Sequence, residues 1–219
     1  MSYVVLLSGG IDSAVCLALA AAGATDLYAL SFNYGQRHAI ELRAAEKLAE
    51  RFDAVHRIVN LDLRQFGGSA LTDSDVDVPK FHGQEGFRGH EIPVTYVPAR
   101  NTIFLSIALA YAETLGASEV WIGANAIDYS GYPDCRPEYI EAFNAMANLA
   151  MKRPVTVRAP LLDCTKSEII LMGIEEVDFS LTSSCYDPAE DGACGACDSC
   201  RIRRDGFFAA GVPDPTVYR

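Results

Sequence analysis

Hydrophobic and polar positions alternate along this chain in two rhythms. Residues 3–7 form an unbroken apolar run, the pattern of a strand buried on both faces. Residues 13–22 follow as an alanine-rich helix, and Gly23 is placed to stop it. Residues 27–32 make a second strand. Residues 37–52 then read as an amphipathic helix: Ile40, Ala44, Leu48 and Phe52 mark one face, while Glu41, Arg43, Glu46, Lys47 and Glu50 fall largely elsewhere. Residues 55–59 make a third strand. Over 67–89 the texture changes to Gly, Asp, Ser and His without a clear period, which reads as a long loop of the kind that forms lids or stays disordered. A helix follows Asn101, a strand spans 119–123, and Pro137 opens another helix from a first-turn position. A strand at 155–157, a short helix from Thr165 and a cysteine-rich tail follow.

Such strand–helix alternation predicts an α/β fold, an open and mostly parallel sheet with helices on both faces. Ligands of these sheets sit at the carboxyl ends of strands, near the switch in strand order. Three polar or glycine-bearing turns fall at such ends: Ser8-Gly9-Gly10, Asn33-Tyr34-Gly35-Gln36 and Gly123-Ala124-Asn125. Their placement allows them to converge on one crevice.

The bulk numbers narrow the partners. A length of 219 residues suffices for one domain with a full core and a small appendage. A formal net charge of −11 and a pI near 4.7 argue against broad electrostatic capture of nucleic acid or an anionic membrane. No apolar stretch approaches the ~20 residues of a membrane span. The longest, 102–115, holds a glutamate and reads as a buried helix. No basic region followed by a long apolar core opens the chain, so a cytoplasmic location is expected. There, seven cysteines belong to metal, catalysis or core more readily than to disulfides.

The first candidate chemistry is Leu7-Ser8-Gly9-Gly10-Ile11-Asp12-Ser13, where a strand runs through two glycines into a helix. The glycines let bare amides approach a ligand, and the helix start aims its unpaired N–H groups and positive dipole end at the same place. Ser8 and Ser13 add hydroxyls, and Asp12 fits beside a phosphate if it binds magnesium or caps the helix. The lysine of the G-x-x-x-x-G-K-[ST] cradle is missing. The same residues also read as a plain strand-to-helix turn with a good N-cap.

The second is the quartet Cys185-x8-Cys194-x2-Cys197-x2-Cys200, four thiols within sixteen residues. Four soft ligands suit tetrahedral zinc, and with no open coordination position the role is structural. An iron–sulfur cluster is the competing occupant. Cys16, in an apolar helix, and Cys164, among leucines, read as core. Cys135 lies in a polar loop and is less easily assigned.

Read as S-G-G-x-D-S after an N-terminal strand, the loop resembles the PP-loop of ATP pyrophosphatases, the adenylating enzymes with an adenine nucleotide alpha hydrolase-like fold. Pro160-Leu161-Leu162-Asp163-Cys164-Thr165-Lys166-Ser167-Glu168 resembles their second element, in which a distant lysine supplies the missing cation. The further segments Tyr96-Val97-Pro98-Ala99-Arg100-Asn101-Thr102 and Asp128-Tyr129-Ser130-Gly131-Tyr132-Pro133-Asp134-Cys135-Arg136-Pro137, with the cysteine quartet, resemble the 7-cyano-7-deazaguanine synthase family over essentially the whole chain. One departure is Ser183, where many members carry tryptophan.

This resemblance implies a C–N-bond-forming ligase of queuosine biosynthesis. It converts 7-carboxy-7-deazaguanine, ammonia and ATP into the nitrile through an adenylated carboxylate and an adenylated amide, releasing AMP and diphosphate. It implies a PP-loop domain over 1–180 and a four-cysteine zinc tail over 181–219 packed on it. Lys166, Asp12 and Arg100 are then the expected catalytic residues. Leu7, Ser8, Gly9, Gly10, Ile11, Asp12 and Ser13 are expected to hold ATP phosphates or their Mg2+. Asn101, Asp128, Tyr132, Asp134 and Arg136 are expected at the heterocycle or its carboxylate, with Asp134 accepting from the exocyclic amine and ring N–H. Tyr129 and Tyr132 also read as packing aromatics, and Arg136 as a surface ion pair. The resemblance places structural Zn2+ on Cys185, Cys194, Cys197 and Cys200, and it implies a homodimer without nucleic-acid or membrane partners. Two rival readings are a PP-loop tRNA sulfur transferase with a cluster in the tail, and a non-catalytic ATP-binding sensor.

Overall fold

The structure is a computed structural model, and it describes residues 1–36, 40–80, 92–125, 132–189 and 191–219. Five strands are named in chain order: β1 (Ser2–Leu6), β2 (Asp26–Asn33), β3 (Val55–Asn60), β4 (Glu119–Trp121) and β5 (Thr156–Arg158). They form one sheet in the order β3-β2-β1-β4-β5 with every pairing parallel. The chain walks outward from β1 to β3, then returns to the other side of β1 at β4. The switch in strand order therefore lies at the carboxyl end of β1, where the glycine loop begins.

Alternation along β1 assigns the helix layers. Val5 and Leu7 point into one core with Leu17, Leu48, Ile169 and Ile170. Val4 and Leu6 point into the other with Leu30, Leu105, Leu109, Ile140 and Phe143. The first layer is built by α1 (Ile11–Ala21), α2 (Ile40–Arg51), α5 (Lys166–Gly173) and α6 (Asp198–Ala210). The second is built by α3 (Arg100–Leu115) and α4 (Pro137–Ala150). Pro137 does open α4, at its first turn. In α2 the buried stripe is Ala44, Ala45, Leu48 and Ala49, and residues 37–39 lie outside the described residues.

Three expectations change. The helix at 102–115 is not buried all round. Leu105, Ala108, Leu109 and Ala112 face the sheet while Ser106 and Glu113 face solvent, because only one side of this layer has a partner. The stretch 67–80 is not loose: Ala70 and Val78 pack with Cys185, Cys197 and Cys200, and Lys80 pairs with Asp187 at 2.6 Å. The remainder of that loop, 81–89, lies outside the described residues. The cysteine-rich tail, to which the residue pattern assigns no element, also contains a full helix, α6.

That helix joins the tail to the main core. Phe207 is 1% exposed, packs in the cluster of Val5 and Leu17, and meets Phe179 edge-on at 5.4 Å. Arg203, one turn earlier and also buried, pairs with Asp214 at 3.0 Å and donates to Thr182 Oγ1 at 2.7 Å and the Phe179 carbonyl at 3.1 Å. A buried guanidinium needs that many acceptors to offset its desolvation. Phe207→Ala is expected to cost about 3–5 kcal/mol in urea denaturation of the intact chain. A loss under about 1 kcal/mol would mean that the tail does not share the core.

Candidate active site

The loop after β1 is built so that α1 starts without a side-chain cap. Its N-cap residue is Gly10, which has no side chain to offer the helix amides. The helical ladder begins with Ala14 N donating to the Gly10 carbonyl at 3.0 Å, and the amides of Ile11 and Asp12 precede it. The Ser13 hydroxyl folds back under the loop, accepting from Ser8 N and Gly9 N at 3.2 Å each and donating to Gly10 O at 3.0 Å. Ser8 Oγ stands 3.0 Å from Ser13 Oγ. Gly9 sits at φ +92°, and a Cβ there would stand 2.3 Å from the Glu41 carbonyl. Only glycine lets α2 approach this closely. The Gly9 carbonyl accepts from Ser183 N at 2.8 Å, so the tail is tied to the loop at Ser183.

Lys166 closes the loop from 154 residues away. Its ammonium donates to both Asp12 carboxylate oxygens at 2.5 and 2.6 Å, and Asn125 Nδ2 donates to Asp12 Oδ2 at 3.0 Å. Lys166 is held by its helix. Thr165 is the N-cap of α5 and forms a reciprocal capping box with Glu168. Asp12 does not cap α1; it anchors the lysine over that helix start.

Around this pair runs a cavity of about 270 Å³. The second and third polar turns do line it, through Tyr34 and Gln36 and through Gly123 and Ala124. The three turns converge as their strand-end positions suggested. Leu7, Ser8, Gly10, Ile11, Asp12, Ser13, Arg100, Asn101, Tyr132 and Lys166 line the same walls.

The remaining expected residues lie nearby in different settings. Arg100 opens α3 and reaches the Tyr34 hydroxyl at 3.4 Å. Asp134 is 5% exposed and accepts the Asn101 backbone N–H at 2.9 Å, satisfying one first-turn amide of α3 from outside that helix. Burial pushes the Asp134 pKa up, against the pull of that N–H and of Arg100. Tyr132 stacks on Tyr96 with centroids 5.7 Å apart and shares a hydrogen bond with Thr95 at 3.2 Å. Arg136 is exposed at the start of α4 and is not on the cavity wall. Asp128 and Tyr129 lie outside the described residues.

Sequence reasoning missed two wall residues. Cys135 is buried, lines the cavity and accepts from Asn101 Nδ2 at 3.1 Å. Glu41 also lines it, and burial lifts its carboxyl pKa to about 7 despite the opposing Arg100. The helical pattern alone puts position 41 on a solvated face. A carboxylate one residue into a helix beside the glycine loop was the signal available.

The four thiols of the tail come together, with Cys185, Cys194, Cys197 and Cys200 Sγ atoms within 4.8 Å of one another. A tetrahedron with ~2.3 Å metal–sulfur bonds has edges of about 3.8 Å, so the set can hold a metal after a small contraction. Backbone N–H groups already point at the sulfurs, from Cys194 to Cys185 at 3.2 Å and from Cys197 to Cys194 at 3.3 Å. Such donors stabilise thiolates. Cys16 is fully buried core, and Cys164 packs against the same core.

The profile of the family "Queuosine biosynthesis protein QueC" matches residues 2–211. The chain belongs to this family. Two curated relatives, each named 7-cyano-7-deazaguanine synthase, come from Dechloromonas aromatica and Desulfatibacillum aliphaticivorans. The first is 58% identical over 99% of this chain and 97% of its own length, the second 59% over 98% and 95%. In fold, the chain resembles the NMN synthetase of Francisella tularensis with a TM-score of 0.53 at 19% identity, over 96% of this chain and 77% of that one. Among the described residues, no helix is long and apolar enough to cross a membrane.

Gly206 of α6 fixes how closely Lys166 is held. A Cβ there would stand 2.4 Å from Lys166 Cγ and 3.0 Å from its Cβ. Gly206→Ala is expected to cost about 1–3 kcal/mol in the native background and less when Lys166 is replaced by Ala, which removes Cγ. Equal costs in the two backgrounds, measured by denaturant titration, would contradict this packing.

Proposed function

We propose that this chain converts 7-carboxy-7-deazaguanine, ammonia and ATP to 7-cyano-7-deazaguanine, with release of AMP and diphosphate. The observation that carries the reading is its full-length similarity to synthases of that name. In this reading the β- and γ-phosphates rest on the uncapped start of α1, where the Ile11 and Asp12 amides and the Ser8 hydroxyl donate to them while Ser13 holds the loop in shape. Lys166 leaves one Asp12 oxygen for the bridging oxygen as negative charge develops there. That interaction strengthens only as the bond breaks. Asp12 is the acidic group that a phosphate-bound Mg2+ would meet.

Arg100 and Asn101, at the start of α3, face the carboxylate to be activated. Tyr132, already stacked on Tyr96, offers a flat surface for the heterocycle. The walls then keep water from the adenylate, which would otherwise hydrolyse. The sulfur-transferase and sensor readings are not favoured by the full-length relatives.

The four thiols suit Zn2+, which would cross-link a segment with a small core of its own and leave no open position for catalysis. Lys166→Met is expected to cut AMP formation by at least about 10²-fold with the unfolding midpoint little changed. Near-native diphosphate release from that variant would contradict the assigned role. Elemental analysis of the purified chain is expected to give one zinc per protomer. Cys197→Ser should lose the metal and lower the thermal midpoint, and iron in place of zinc would overturn the structural assignment.

A further inference from the structure

The groups placed so far leave one reactive requirement without a residue. Ammonia is held almost wholly as ammonium at neutral pH, and ammonium has no lone pair with which to attack an acyl-adenylate. Among the described residues, two carboxyl side chains line the cavity, Asp12 and Glu41. Asp12 is bound to Lys166 and Asn125. Glu41 makes no ion pair or side-chain hydrogen bond among the described residues. We propose that Glu41, on the cavity wall beside Arg100 and Tyr34, is the acceptor that binds ammonium and removes its proton.

This inference rests on the nitrile-synthase reading above and names how that reaction receives its nitrogen. The proton moves from NH4+ to the Glu41 carboxylate, giving NH3 and a carboxylic acid. The nitrogen lone pair then forms the C–N bond, the C–O bond to AMP breaks, and AMP leaves with that electron pair. The second proton goes to the departing phosphate, and the amide keeps the remaining two. The cavity wall favours the transfer, because burial destabilises both members of a carboxylate–ammonium pair and neither member of the acid–amine pair. The same desolvation holds the Glu41 carboxyl at about 7, where a base can both take and return a proton.

Other charged groups around the cavity are committed. Arg100 opposes the rise and keeps part of the population ionised. Tyr34 is pushed up by burial and stays neutral through this range. Arg203 is bound to Asp214, and Cys135 accepts from Asn101. On α2 itself, the neighbouring charges Arg43, Glu46 and Lys47 lie off the cavity wall.

The test is a pH profile of amide and nitrile formation at fixed total ammonium, in the wild type and in Glu41→Gln. The wild-type rate should rise to about 7 and then flatten, since the enzyme makes its own ammonia once Glu41 is ionised. In Glu41→Gln only free ammonia reacts. Its rate should be about 10²-fold lower at neutral pH and climb about tenfold per pH unit toward the wild type. Hydroxylamine, whose conjugate acid is far stronger than ammonium, should form the hydroxamate at similar rates in both proteins. A uniform loss at every pH with both nucleophiles would make Glu41 merely structural and overturn the proposal. So would a wild-type rate that climbs tenfold per unit without flattening, a result that needs no variant. A wild type that makes neither amide nor nitrile would sink the functional reading instead.

Discussion

One unfinished helix governs the site. α1 begins at the centre of the sheet with glycine at its N-cap, so its first amides have neither a side-chain acceptor nor a ladder partner. Among the other helices, Thr165 and Glu168 cap α5 reciprocally, while α3, α4 and α6 start at Ala99, Arg136 and Cys197 without a side-chain cap, and Asp134 reaches the Asn101 amide of α3 from another segment. What sets α1 apart is its place at the carboxyl end of β1, where strand order switches and a crevice must open. An open helix start in a crevice is suited to anions by construction.

Such a site must also work inside an acidic protein. The net charge of −11 repels polyanions at long range, and the local field has to reverse it. The reversal comes from the α1 dipole, from Lys166 brought in by α5 and from Arg100 at the head of α3. Asp12 holds the Lys166 ammonium beside that helix start. The two carboxyls of the cavity thus live in opposite environments: Asp12 is satisfied by a cation and an amide, and Glu41 stands in the wall with its pKa raised by burial.

The tail takes part in this geometry. Phe207 plugs α6 into the main core, Gly206 lets it lie against the Lys166 stem, and Ser183 is tied to the Gly9 carbonyl. A metal at the four thiols would therefore brace the lysine and the loop as well as the tail.

Much of this was legible in the order of residues. The continuous apolar run at β1 against the 3.6-residue period of α2 distinguished strand from helix. The glycine loop marked the crevice at the strand switch, and the cysteine spacing marked the four thiols that come together. These signals are local, because period, turn chemistry and ligand spacing are written within a few residues. Their limits are equally local. The helix at 102–115 carries enough apolar residues to look buried, and only the one-sided contact with the sheet shows that it is a cover. The helix in the cysteine tail is masked by residues that also suit metal turns. Which distant groups meet has no signature within a window of sequence: the pairing of Lys166 with Asp12 across 154 positions, the turn of Asp134 toward Asn101, and the half-buried setting of Glu41 on the cavity wall all depend on packing. A side chain's charge state and partner follow from the elements packed against it, and those arrive from elsewhere in the chain. The residues alone thus specified a repertoire of an α/β sheet, a glycine loop at a helix start and four thiols. Folding then selected the lysine that reaches the loop and the carboxyl that burial leaves near neutrality.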